Sequence, residues 1–347
     1  MRGQLRIGIV GVTSDDVWAV RSRQAFARQI AAFLAIMMLA APVCGAKLAI
    51  ATAAAQVSDH RSTPKAAASP GRPSAPTAAP QESEQLPAQP RGRVYLFRGA
   101  MGLIFSRGMD RLAEKLERAN VTADVNEFTV CDLVSSAALE TYRQDPAPII
   151  LIGHSMGGRC ALQFAEKLND AGIPVSLVVT IDPAHLSPDV PPNVERFINI
   201  FLSKDVLGGG DIKPAQDFHG HYASYDLQRR DEISHITIDK VDAIHDQLVA
   251  KIVQLAATPA KEGDSVPLRY VVPPKVDIEL WDSGTAVAAT TSETLQTLAT
   301  QDHLPLWSLT QVNQIPEDAP LAVGQRVVVP RHLLPFAAVS KPVSSRR

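Results

Sequence analysis

The stretch Ile149-Ile-Leu-Ile-Gly-His-Ser-Met-Gly-Gly158 decides how the rest of the chain is read. Its four opening residues are apolar and mostly β-branched, the pattern of a short strand buried on both faces. They run into Gly153-His154-Ser155-Met156-Gly157, a G-x-S-x-G pattern with a second glycine at Gly158. A nucleophilic serine must stand on a sharp strand-to-helix turn so that its hydroxyl clears the sheet. Such a turn strains the serine backbone and leaves no room for side chains two positions to either side. The helix expected after it carries Met156, Cys160, Ala161, Phe164, Ala165 and Leu168 at helical spacing, with Gly172 and Pro174 as stop signals. Its N-terminal amides point back at the serine, where a developing oxyanion can use them. Ser155 is therefore the candidate nucleophile.

Strand before, elbow, helix after: this segment resembles the α/β-hydrolase family, in its lipase, esterase and thioesterase range, over Arg93 to Leu255. The resemblance implies a mostly parallel sheet with flanking helices and a second oxyanion donor in the loop after an early strand. Val94–Phe97 reads as that strand, and Arg98-Gly99-Ala100-Met101-Gly102 follows it. The implied donors are the amides of Met156 and Ala100. Members of this type often carry His-Gly where this chain has Arg98-Gly99. The residues between agree with the architecture. A helix is expected over 108–119, a strand over 122–128 and a helix over 132–142. Alternation at these lengths means a parallel sheet with right-handed crossovers.

A serine base needs a carboxylate to hold the imidazole tautomer and stabilise the imidazolium. Two candidates end apolar strands. Asp182 follows Val175–Ile181, and Ile181-Asp182-Pro183-Ala184 resembles the Leu-Asp-Pro-Ala of some lipases. Asp205 ends the next apolar run, Arg196–Leu202, the source of the acid in many members of the family. Asp182 is preferred. The family order implies a histidine after the acid, and two compete. His235 stands in Ile233-Ser-His-Ile-Thr-Ile-Asp239 at a loop-to-helix junction, whereas His245 shares an apolar helix face with Val241, Ile244, Leu248 and Ile252. His235 is preferred as the base, because a histidine on such a face belongs to the core. The segment between Asp205 and Asp231, with Gly208-Gly-Gly210 and His219-Gly220-His221, reads as a substrate-covering loop with exposed histidines. Asp217, His219 and His221 lack the further ligands that a metal site requires. No cofactor and no metal are implied.

The carboxy-terminal part changes pattern. Residues 258–285 read as a connector with no assignable structure. From 286 to 331 a strand, two helices (Ser292–Ala299 and Leu306–Asn313) and a strand ending at Pro330 are expected. This βααβ order resembles a LysM repeat, including Asn313 and Val323-Gly324-Gln325, and the resemblance implies binding of N-acetylglucosamine polymers such as peptidoglycan. The first half departs from the LysM pattern: Val287-Ala-Ala-Thr-Thr and Ser292-Glu293 replace the usual aromatic strand and Gly-Asp. Residues 332–347 read as a disordered tail.

The amino terminus carries Arg21, Arg23 and Arg28 before the apolar run Ile30–Val43, and small residues up to Ala55. This is a signal peptide or membrane anchor over 1–55, a cleaved signal being preferred because the run is short for a spanning helix. Cys44 sits in a poor context for lipidation. Residues 56–91 are rich in Pro, Ala and Ser and read as a disordered linker. The hydrolase domain is expected over 92–257. With 347 residues, 46% hydrophobic content and a formal charge of -2, nothing points to nucleic acid. Three cysteines make no disulfide framework; Cys131 and Cys160 can pair if the fold brings them together, but the preferred reading is two unrelated buried thiols. The whole implies an exported serine hydrolase acting on an ester, thioester or lipid, held at the cell envelope through 286–331. The membrane is touched only through the N-terminal segment. The competing readings are a cell-wall-binding protein with an inactive hydrolase domain and a membrane-anchored scaffold.

Overall fold

Seven parallel strands, in the order β2-β1-β3-β4-β5-β6-β7, make the sheet of this computed structural model. The structure describes residues 92–257, 265–290 and 293–333. The expected leader, Cys44, the linker and most of the tail lie outside the described residues. The strands are β1 (Arg93–Arg98), β2 (Thr122–Glu127), β3 (Ile149–His154), β4 (Leu177–Ile181), β5 (Arg196–Phe201), β6 (His221–Asp226) and β7 (Leu268–Val271). Every residue of β3 is buried, as are those of β4 and β5, which is why these strands read as unbroken apolar runs.

The helices α1 (Gly102–Phe105), α2 (Gly108–Arg118), α3 (Cys131–Gln144), α4 (Met156–Asp170) and α5 (Asp242–Ala257) alternate with the strands. Alternate strand residues divide between two cores. Val94, Leu96, Ile150 and Ile152 pack with Met109, Leu112 and Leu116 of α2 and Ile244, Leu248 and Ile252 of α5. Tyr95, Phe97, Ile149 and Leu151 pack with Ala138 of α3 and Phe164, Ala165 and Leu168 of α4. The period of two along the strands thus puts one pair of helices on each face. Connections leave β1 and β3 in opposite directions along the sheet, so a crevice opens beyond their carboxyl ends, where open α/β sheets take their ligands.

Three expectations are corrected. The segment read as a covering loop with exposed histidines contains β6, and His221 is buried at its start. Cys131 and Cys160 are joined in a disulfide between the starts of α3 and α4, not left as unrelated thiols. The presumed connector supplies β7, the seventh strand, and most of β8 (Trp281–Ala288) lies before residue 286.

Beyond β7, the order β8, α6 (Leu295–Gln301), α7 (Leu306–Asn313) and β9 (Arg326–His332) is βααβ, with β8 and β9 antiparallel. Thr294 caps α6 through a reciprocal capping box with Thr297. Asn313 donates to the Leu309 and Val328 carbonyls and accepts from the Val328 amide, fixing α7 to β9. This unit is no tethered bead. Trp281 is fully buried against Tyr270 of β7 and Trp307 of α7, at ring distances of 5.1 and 5.6 Å. Gln311 of α7 also bonds both the amide and the carbonyl of Val271.

Beneath them lies a buried charge cluster. Asp282 of β8 accepts from Arg196 of β5 at 3.1 Å and from His221 of β6 at 2.9 Å, with Lys251 of α5 3.7 Å away. Burial pushes the Asp282 carboxyl up, but the His221 bond and the Lys251 and Arg196 charges outweigh it and hold it at about 2.

Candidate active site

Ser155 follows β3 with φ 56° and ψ -123°, a conformation that side chains avoid and that costs about 1–3 kcal/mol. Its neighbours over-determine it. The Ser155 amide donates to Ile181 O at 3.0 Å, and its carbonyl accepts from Gly158 and Ala184. The elbow is thereby stitched to the end of β4 and to the loop that carries Asp182.

His235 lies in the turn before the short 3-10 segment Ile238–Lys240. Its Nδ1 is 2.6 Å from Asp182 Oδ2, and its Nε2 is 3.1 Å from Ser155 Oγ. An ionised Asp182 accepts from Nδ1–H, which leaves Nε2 free to accept the serine proton. The structure thus brings Ser155, His235 and Asp182 into one hydrogen-bonded row. Asp182 has no exposed surface, holds φ 42°, and takes a second bond from the Leu202 amide at 3.1 Å. Gly208 closes over it: a Cβ there would fall inside the van der Waals shell of the Asp182 carboxylate.

The rival acid, Asp205, takes a different place. Its Oδ2 accepts from the backbone N–H of His235 at 3.1 Å and its Oδ1 from the Leu207 amide at 3.0 Å. It holds the histidine's backbone, not its ring. His245 is buried in α5, with Nε2 2.7 Å from Asp239 O, and burial lowers its pKa.

The Met156 amide opens α4 directly behind the serine. The Gly99–Ala100 turn leaves β1 alongside, so close that a Cβ on Gly99 would stand 2.7 Å from Ser155 Cβ. Among the described residues, neither the Met156 nor the Ala100 amide engages another hydrogen bond. Arg98, where the family often has histidine, turns away from the site to Asp110 and to Glu127, the latter at 3.1 Å.

Sequence reasoning missed a buried link behind this row. His154 Nε2 is 2.9 Å from the His235 carbonyl, so that nitrogen must carry the proton and donate. Nδ1 then accepts from Ser106 Oγ at 2.8 Å, and Ser106 Oγ accepts from the Gly99 amide at 3.1 Å. Burial and the nearby His235 push the His154 pKa down to about 3, so the ring is neutral at ordinary pH. The link runs from the Gly99 turn to the loop of His235. Nothing in the sequence marks Ser106, and His154 occupies an unspecified position of the motif.

With the elbow, the sheet order and the row of side chains in place, the family comparison is decisive. A model of the alpha/beta hydrolase family matches residues 118–336. The chain belongs to the alpha/beta hydrolase family. The match runs from the last residue of α2 to just beyond β9, so it leaves out β1 and the Gly99 turn but includes the βααβ unit. No curated protein matches the chain. Among solved structures, a hydrolase of the alpha/beta superfamily from Xanthomonas campestris pv. campestris is 22% identical, covering 37% of this chain and 78% of its own, with a TM-score of 0.25. An esterase from Pyrobaculum calidifontis is 16% identical over 52% of this chain and 80% of its own, TM-score 0.35. The NocB thioesterase domain from the nocardicin cluster is 16% identical over 46% and 94%, TM-score 0.30.

Proposed function

We propose that this protein is a serine hydrolase that cleaves an ester or thioester through an acyl-enzyme. The observation that carries the reading is the row from Ser155 Oγ through His235 to Asp182, at 3.1 and 2.6 Å. In the first step Ser155 Oγ attacks the carbonyl carbon and its proton passes to His235 Nε2, with the Met156 and Ala100 amides facing the oxyanion. Asp182 stabilises the imidazolium. His235 then gives the proton to the leaving alcohol or thiol as the carbon–oxygen or carbon–sulfur bond breaks. Water repeats the sequence on the acyl-enzyme and releases the acid.

A fluorophosphonate probe tests this on the full chain. Wild type should be labelled and Ser155→Ala should not, with turnover of p-nitrophenyl acetate falling by about three orders of magnitude or more. Equal labelling of both would refute Ser155 as the nucleophile, and no labelling of wild type would leave the rival reading, a wall-binding protein with an inactive hydrolase domain.

Export to the cell envelope is part of the proposal. The basic-then-apolar amino terminus supports it, as does the Cys131–Cys160 disulfide, a bond that persists in oxidising compartments. Recovery of the protein only from the cytosol would refute export. The βααβ order of β8 to β9 supports a LysM-like glycan-binding role. Sedimentation of the full chain with insoluble peptidoglycan tests it separately, and a chain that stays in solution refutes wall binding without touching the hydrolase reading.

A further inference from the structure

Large apolar side chains are exposed here in one place more than elsewhere. Seven of the ten such residues among the described ones lie on the loops that follow β1, β4, β5 and β6, all at the carboxyl edge of the sheet that carries Ser155. Scattered exposed hydrophobics are ordinary on a protein surface, whereas a contiguous apolar patch beside a site is not.

Hydrogen bonds show that the loops adjoin. Met101, Leu103 and Ile104 belong to the turn and short helix after Gly99, with Leu103 72% and Ile104 62% exposed. Lys240 Nζ donates to Phe105 O at 2.9 Å and also to Ile236 O, tying that helix to exposed Ile236 beside the base. Asp205 joins the His235 amide to the Leu207 amide, bringing in Val206 and Leu207. His185 Nε2 donates to Val206 O at 3.1 Å, and Leu186, 86% exposed, is the next residue. A chain of apolar side chains therefore bounds the Ser155–His235 pair. Of the carboxylates on these loops, Asp182 is buried and both oxygens of Asp205 hold backbone amides, while exposed Asp231 is paired with Lys204 at 3.2 Å.

We propose that this rim seats the protein on a lipid surface and selects long-chain acyl esters presented there. The proposal rests on the hydrolase reading above and adds its substrate class. A lipid phase fits better than a covering protein or second copy, because a protein over the rim would shut water-borne substrate away from Ser155. A lipid phase brings the ester to the covered spot. Among the described residues no helix is long and apolar enough to cross a membrane.

The experiment uses the full chain and two substrates, p-nitrophenyl acetate in solution and p-nitrophenyl laurate dispersed in phosphatidylcholine vesicles. The readout is the ratio of the two rates in wild type, in Leu186→Ser and in Leu103→Asp/Leu186→Asp. The ratio should fall about tenfold in the double variant and less in the single one, as apolar contact is lost. Thermal melting and fluorophosphonate labelling report whether each variant is folded. A ratio unchanged in both variants overturns the proposal, even with the hydrolase reading intact. A wild-type dimer that the double variant breaks, with laurate turnover undiminished, overturns it in favour of a second copy. No turnover of either ester by wild type, together with no probe labelling, removes the hydrolase reading itself.

Discussion

At the scale of single residues, the two aspartates on the loops after β4 and β5 separate cleanly. Asp182 holds the ring of His235 and Asp205 its backbone amide. Asp182→Asn should therefore cost about four orders of magnitude in kcat, since an amide at this position favours the wrong tautomer. Asp205→Ala should cost only about tenfold, the loss expected from looser positioning. Steady-state rates on p-nitrophenyl acetate check both, and comparable losses would contradict the assignment. Asp239 offers a pH test. It is buried against the Gly108 amide at 2.9 Å, and burial outweighs Lys240 to raise its carboxyl to about 6. Its folded pKa lies above the unfolded value, so the native state holds its proton more tightly. The stability this provides is present below pH 4 and lost as pH rises through about 6. In denaturant melts, Asp239→Asn should remove that loss, so the stability of wild type relative to the variant falls by up to about 3 kcal/mol from acid to neutral pH.

At the scale of elements, the geometry of the candidate site depends on how loops from different strands are tied together. The Gly99 turn after β1 and the His235 loop after β6 share no sequence neighbourhood, yet Ser106 and His154 link them behind Ser155. Ser106→Ala removes the proton that His154 Nδ1 accepts and the acceptor of the Gly99 amide. We expect kcat to fall about tenfold with KM little changed, because the acetate ester is bound before the donor geometry matters. His154 ring nitrogen shifts by NMR should report an Nε2-protonated, neutral ring in wild type across the stable pH range. A titration near the ordinary histidine value would contradict the network.

At the scale of the whole molecule, the βααβ unit and the sheet share one core. Trp281 lies among Tyr225, Tyr270 and Trp307, and its amide donates to the Tyr225 hydroxyl at 2.5 Å. Trp281→Ala should cost about 3–5 kcal/mol, the range for deleting a buried aromatic ring, and calorimetry should show one transition moved down as a unit. Independent melting of a carboxy-terminal unit would contradict the shared core. The same packing means that a fragment ending at Ala257 lacks β7 and exposes one side of β6. It is a poor substitute for the full chain in any assay.

What the sequence determined by itself was whatever depends on neighbours a few residues apart. The apolar runs of β3, β4 and β5, the helical spacing of α4 and the glycines around Ser155 are local patterns, and each is where local physics puts it. The candidate residues Ser155, Asp182 and His235 could be named because an elbow, a strand end and a loop-to-helix junction are local as well. Tertiary structure decided the rest. Strand β6, His-Tyr-Ala-Ser-Tyr-Asp, looks like loop because it is polar, yet all six residues are buried. Most of its polar groups' partners come from other segments: His221 from Asp282, Tyr222 from Ile212, Ser224 from Asn199, and Asp226 from the Ser203 amide as well as the nearby Gln228 amide. The Cys131–Cys160 bond needed two helix starts to meet across one face of the sheet. The choice between ring and backbone for Asp182 and Asp205 turned on where two strand ends stand around one histidine. Burial of a polar group is favourable only when its hydrogen-bond partner is present, and partners far apart in the chain become neighbours only in the fold.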